Sequence, residues 1–176
     1  NGLPTAEANA VAETSDGFIW IGSYSGLIRY DGKSFDRIDS TTGVSSVVSL
    51  FVDSKERLWI GTNDSGVAVM QNDHYRLYNH NDVLTSSFVR SIVEDTDGSI
   101  YIATTKGIGK VDTAGNLSML TDEKLGDVYV RVLNKGEDGI IYGVTNNGSL
   151  FTMEGGSIKE FYDADTIGVH EIRTIL

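Results

Sequence analysis

The chain of 176 residues carries 25 acidic and 14 basic side chains, a formal charge of −11, and no cysteine. Without cysteine there is no disulfide, thiolate nucleophile or zinc–thiolate centre, and the acidic balance disfavours nucleic acid and anionic membrane surfaces as partners. Twenty glycines and one proline among many Val, Ile, Tyr and Phe point to short strands joined by tight turns, and no apolar run is long enough to insert this segment into a membrane.

In chain order, the first hairpin turn falls at Asp16-Gly17, inside "DGFIWIG" (16–22), whose second half is a strand centred on Trp20. Asp-Gly pairs favour the positive φ that tight hairpins need. "GLIRY" (26–30) reads as a third strand, "DGK" (31–33) as a turn and "SFDRI" (34–38) as a fourth strand. A polar connection, "DSTTGVSS" (39–46), leads into "VVSLFV" (47–52), and then "RLWIG" (57–61) repeats the Trp strand. "FVRSIV" (88–93) with "DGSIYIA" (97–103), and "VYVRVL" (128–133) with "DGIIYGV" (138–144), are the third and fourth copies. "GVHEIRTIL" (168–176) restarts the cycle. The first strands are apolar at consecutive positions, which requires cover on both faces.

The anchors Trp20, Trp59, Tyr101 and Tyr142 stand 39, 42 and 41 residues apart. Gly26, Gly66, Gly107 and Gly148 follow them, then Phe35, Tyr75, Leu117 and Ile158. Such a period predicts one four-stranded antiparallel sheet per repeat, stacked radially. The expected fold is an all-β β-propeller fragment. Its four blades are expected at about 8–38, 47–78, 88–120 and 128–161, with the first strand of a fifth at 169–176. The anchors are expected to fill the gaps between blades. An open arc leaves terminal blade faces uncovered, so self-association through these open edges is expected.

Residues 47–70, 89–112 and 1–32 resemble two-component regulator propeller repeats; the opening copy includes the Gly-Leu-Pro lead-in, Gly2 to Pro4. The fourth copy departs, with Gly143-Val144 after its anchor and Thr152-Met153 further on. The resemblance implies the extracellular or periplasmic, ligand-sensing part of a membrane-bound bacterial signalling protein. The output would be a histidine kinase or a diguanylate cyclase. It implies a non-catalytic module.

Several motifs fall away. "GLIRYDGKS" (26–34) has five residues between Gly26 and Gly32 where a P-loop needs four, and it lies on a hairpin. "GSYSG" (22–26) has Tyr24 where a nucleophile elbow has Ser. "EDTDG" (94–98) is calcium-like, but its acidic positions drift in the copies at 13–17, 52–56 and 135–139, and it reads as an Asx turn. His74, His80 and His170 hold non-matching positions, so no metal site is expected. No cofactor is expected either. Trp20 and Trp59 are packing residues before they are sugar-stacking platforms, because they recur at the anchor position.

Candidate ligand-binding residues lie on the face that gathers the turns between second and third strands and the connections between blades. The turns contribute Ser23, Tyr24 and Ser25; Asn63, Asp64 and Ser65; Thr104, Thr105 and Lys106; and Asn146 and Asn147. The connections contribute Thr41, Thr42, Ser45, Ser46, Ser86 and Ser87. Hydroxyls and amides suit a carbohydrate or another small polar ligand, and are also ordinary turn residues. Arg90 and Arg131 occupy one place in their first strands and either pair with carboxylates or reach an anionic ligand. Two other readings stand beside sensing: a protein-interaction or dimerisation scaffold, and a carbohydrate-active enzyme such as a polysaccharide lyase or glycosidase.

Overall fold

The structure is a computed structural model, and it describes residues 2–38, 44–79, 81–168 and 172. Thr41, Thr42, His80, His170 and the expected fifth first strand (apart from residue 172) lie outside the described residues. The described strands form four sheets of four antiparallel strands each. The first holds β1 (Ala10–Glu13), β2 (Ile19–Ser23), β3 (Gly26–Tyr30) and β4 (Phe35–Arg37). The second holds β5 (Val47–Val52), β6 (Leu58–Thr62), β7 (Val67–Gln71) and β8 (His74–Tyr78). The third holds β9 (Val89–Glu94), β10 (Ile100–Thr104), β11 (Ile108–Val111) and β12 (Leu117–Met119). The fourth holds β13 (Val130–Lys135), β14 (Ile141–Thr145), β15 (Leu150–Glu154) and β16 (Ser157–Tyr162). Strand order follows chain order in every sheet. The first strands β1, β5, β9 and β13 lie beside one another, each against the next. The sheets therefore fan out from a common axis, first strands innermost.

The first hairpins are near copies because their backbone bonds are the same. Thr14 N–H donates to Phe18 O at 3.1 Å, and Gly17 N–H donates to Thr14 O at 2.9 Å. The same two bonds recur at 53–57, 95–99 and 136–140. The last turn residue takes positive φ each time: Gly17 at 86°, Gly98 at 82° and Gly139 at 81°. In the second sheet Glu56 holds that place at φ 58°, against the preference of a side chain.

Anchors seal the seams between sheets. Trp20 is 4% exposed, and Trp59 and Tyr101 are 0% exposed. Trp20 packs with Leu58, Ile60 and Met70 of the second sheet. Trp59 packs with Val89, Ile100 and Ile102 of the third, and Tyr101 with Leu133, Ile141 and Phe151 of the fourth. Each indole is also tied to its hairpin: Trp20 Nε1 donates to Thr14 Oγ1 at 3.0 Å, and Trp59 Nε1 to Asp53 Oδ2 at 2.7 Å. Two residues past the anchor the chain must be small, because the next sheet's first valine enters there. A Cβ on Gly61 would lie 2.6 Å from Val89 Cγ1, and one on Gly22 would collide with Val47. Ala103 takes this place in the third sheet, packed in the same cluster as Val130.

Tyr142 keeps the anchor's register, six residues past the first residue of its hairpin, and faces the side of the fourth sheet on which no described sheet lies. It is 37% exposed and donates from its hydroxyl to Asp138 Oδ2 at 2.9 Å. The next residue, Gly143, faces the third sheet, at the place where the second and third sheets have Ile60 and Ile102. The ring of Phe151 occupies the space that a Gly143 Cβ would need, and Phe151 joins the Tyr101 cluster. Large and small are exchanged across the strand pair: Ala68 and Gly109 stand opposite Ile60 and Ile102, whereas Phe151 stands opposite Gly143.

Candidate functional site

The turns between second and third strands meet the connections between sheets at one end of the axis, and backbone bonds fix that meeting. Asn63 N–H donates to Ser46 O at 2.9 Å, Thr105 N–H to Phe88 O at 3.1 Å, and Asn146 N–H to Tyr129 O at 2.8 Å. Each pair joins a turn tip to the residue that enters the same sheet. Adjacent sheets are joined as well: Gly66 N–H donates to Ser87 O at 3.0 Å and Gly107 N–H to Val128 O at 2.8 Å.

Not every predicted site residue belongs to this surface. Ser23 and Thr104 are buried, and their hydroxyls donate to Gly26 O at 3.1 Å and Gly107 O at 3.0 Å. Thr62 and Thr145 do the same at the matching positions, to Gly66 O and Ser149 O. These four hydroxyls close the turns from inside. Their recurrence three residues after each anchor is the signal that separates them from the ligand candidates. Asn147 Oδ1 accepts from Thr145 Oγ1 and from Ser149 N–H, so it too braces its turn while remaining exposed. Ser65 donates to Asp64 Oδ1 at 2.8 Å, beside Asn63. Tyr24, Ser25, Asp64, Lys106 and Asn146 are exposed, and Asn63, Ser65 and Thr105 are half-buried. Ser86 is buried, its hydroxyl bonded to Thr105 Oγ1 at 2.7 Å. Ser45 and Ser46 are half-buried at the entry to β5.

Sequence reading missed the strand irregularity that shapes the mouth. In β5, β9 and β13 the register slips at the same place, skipping Val48, Arg90 and Arg131 in turn. A β-bulge re-aims the extra side chain and bends its strand. Two of the three bulge residues are arginines, on adjacent innermost strands. Arg90 Nε donates to Tyr129 Oη at 2.8 Å, and its Nη1 donates to Asn63 Oδ1 at 2.8 Å and to Val89 O at 2.9 Å. Arg131 Nη2 donates to Asn146 Oδ1 at 2.8 Å. Arg90 thus touches the second sheet, its own sheet and the entry to the fourth. Among the described residues no carboxylate lies within ion-pair range of Arg90. Its partners are a phenol, an amide and a carbonyl.

Tyr129 and Phe88 were also missed as site residues. They hold one place, immediately before the first strand's buried valine, and Phe88 is 48% exposed. Tyr24, at the turn tip of the first sheet, is 54% exposed. The mouth therefore offers exposed aromatic area, neutral hydrogen-bonding groups and a guanidinium at its centre. Farther out on the same end, an open cleft of about 580 Å³ is lined by Thr85, Met119, Leu120, Asp122, Glu123 and Asp127, among others. At the opposite end the carboxyl groups serve turns. The Asp31, Asp97 and Asp112 carboxyls are held below the usual aspartate range, chiefly by backbone N–H bonds from Ser34, Ser99 and Asn116.

Comparison with known proteins follows the same division of the chain. Residues 2–25, 43–64 and 83–106 match the two component regulator propeller family. A histidine kinase of Formosa agariphila, Histidine kinase P4, is 36% identical over a stretch that covers 40% of this chain and 6% of that protein. The extracellular domain of a hybrid two component system from B. thetaiotaomicron superposes with a TM-score of 0.74 at 21% identity, covering 95% of this chain and 23% of that one. A virginiamycin B lyase from Staphylococcus aureus superposes with a TM-score of 0.73 at 17% identity, covering 87% of this chain and 54% of the lyase. The chain spans only a small part of the kinase and under a quarter of the extracellular domain. At these identities the solved structures establish the propeller fold. The matched residues hold the first two strands of each of the first three sheets, and the chain as a whole has the propeller fold.

Proposed function

We propose that this chain is a ligand-sensing segment of the extracellular or periplasmic region of a bacterial membrane signalling protein. The ligand is a carbohydrate or another small polar molecule, taken at the axial mouth and not turned over. One observation carries this reading. The positions that build the seams recur from sheet to sheet, whereas those at the mouth differ: Tyr24, Asn63, Thr105 and Asn146 at the turn tips, and Ser46, Phe88 and Tyr129 at the entries. A surface that served packing alone would carry the repeat's common residue. Loops on a rigid scaffold are the usual carriers of binding. The family matches and the histidine kinase relative support the signalling context.

The test is ligand-dependent output of the full-length receptor in cells. Phe88→Ala and Asn63→Ala are expected to lower the response to envelope oligosaccharides without lowering receptor abundance. Unchanged responses in both variants would overturn the assignment of the mouth. New sugar products on incubation with the chain would overturn its non-catalytic part.

A further inference from the structure

We propose that Arg90, held by Asn63 and Tyr129 at the axial mouth, is an anion-binding subsite that receives a carboxylate or sulfate group of the ligand. The inference rests on the mouth being the binding surface and specifies the chemistry that the surface selects.

A guanidinium has five N–H donors in a fixed fork. In Arg90 the Nε donor goes to Tyr129 Oη, and Nη1 serves Asn63 Oδ1 and Val89 O. The two donors of Nη2 have no partner among the described residues, and the side chain is half-buried. Tyr129 Oη accepts from Arg90, which leaves its own proton available to donate. The two Nη2 hydrogens and the Tyr129 hydroxyl are thus three donors around one cationic group. Every hydrogen-bond acceptor of Arg90 is a neutral oxygen, and its guanidinium also lies over the Tyr129 ring, 5.5 Å from the centroid. The chain has 25 acidic residues, and none of the described ones lies within ion-pair range of Arg90. Asp64 lies next to Asn63 in sequence, yet its carboxylate accepts from Ser65. The positive charge is fixed at three points, lacks a countercharge among the described residues, and sits where a bulge aims it. Guanidinium forks match carboxylates and sulfates through paired, charge-assisted bonds. The neutral side chains at the turn tips take the rest of the ligand.

The experiment titrates acetate, sulfate and acetamide into the 176-residue chain at constant ionic strength in chloride. It follows the amide resonances of residues 63, 90 and 129 by NMR. Acetamide matches acetate in shape and lacks its charge. Saturable shifts with acetate or sulfate and none with acetamide are expected; the tighter anion identifies the group. Arg90→Gln is expected to abolish the shifts. Tyr129→Phe, which keeps the ring, is expected to weaken binding by roughly 10–150-fold, the loss of one hydrogen bond to a charged group. If neither anion produces a saturable shift, or acetamide matches acetate, the subsite does not exist. That result leaves the mouth as a binding surface for neutral ligands, which the receptor experiment tests separately. Full anion binding by Tyr129→Phe together with Arg90→Gln would equally overturn the proposal.

Discussion

The two ends of the axis are built from the same sheets and follow opposite rules. At the end of the first hairpins the four copies agree in backbone bonding, and in the first two the turn residue reaches back to its anchor. The Asp53 carboxylate accepts from Trp59 Nε1 at 2.7 Å, from Arg57 Nε at 2.6 Å, and from the backbone N–H groups of Lys55 and Arg57 at 2.9 Å each. At the mouth the same sheets place different side chains on an equally regular backbone. A position is repeated where it touches the neighbouring sheet, and free to differ where it faces the axis and solvent. Repeated packing and side-chain variety are therefore separated along the axis, and the two ends should respond differently to substitution.

The largest expected effect lies at the hairpin end. Asp53→Ala strands the indole N–H and the Arg57 guanidinium and is expected to cost about 3 kcal/mol in urea unfolding. Burial pushes the Asp53 carboxyl up, but the bonds from Trp59 and Arg57 outweigh it and hold the group below its ordinary value. A carboxyl lowered in the folded state stabilises above its unfolded pKa and loses that contribution as pH falls through the folded pKa. Stability is therefore expected to decline on acidification below about pH 4, and Asp53→Asn is expected to flatten that decline. Next comes Gly61→Ala at the seam. Its Cβ would press on the Val89 side chain of the next sheet, at a cost of about 2 kcal/mol in the same assay. Glu56→Gly relieves a left-handed side-chain conformation and gives up a bond to Ser15 N–H, for a net gain of about 0.5 kcal/mol. The smallest effect belongs to the mouth: Asn146→Ala is expected to stay within about 0.5 kcal/mol of the parent. A loss above about 2 kcal/mol there would erase the distinction between the two ends.

The architecture was legible because its determinants are local and repeated. Asp-Gly turns, an aromatic anchor and a small residue two places on recur at a spacing that only a stack of sheets explains. Trp20 and Trp59 were readable as packing residues for that reason. The mouth was legible only in outline. Tyr24, Asn63, Thr105 and Asn146 could be assigned to one surface from turn positions, but the burial of Ser23 and Thr104 depends on where each hydroxyl finds a carbonyl. The bulges at Val48, Arg90 and Arg131 depend on strand pairing, and residue type does not encode an unpaired residue. Whether Arg90 meets a carboxylate is likewise decided by which side chains the neighbouring sheets bring near it. Tyr142 has the anchor's register but faces the side of the fourth sheet where no described sheet lies, while Phe151, opposite Gly143, fills the seam with the third sheet from the other face.

Arg90 reaches oxygens on one side and the other of its own sheet, at the innermost strand. A four-stranded sheet is about 14 Å wide from first strand to last at the usual strand spacing. It therefore acts as a lever with its fulcrum at the axis. A tilt of about four degrees about that strand would swing the outermost strand by about 1 Å over that width. Small displacements at the hub would be magnified at the perimeter.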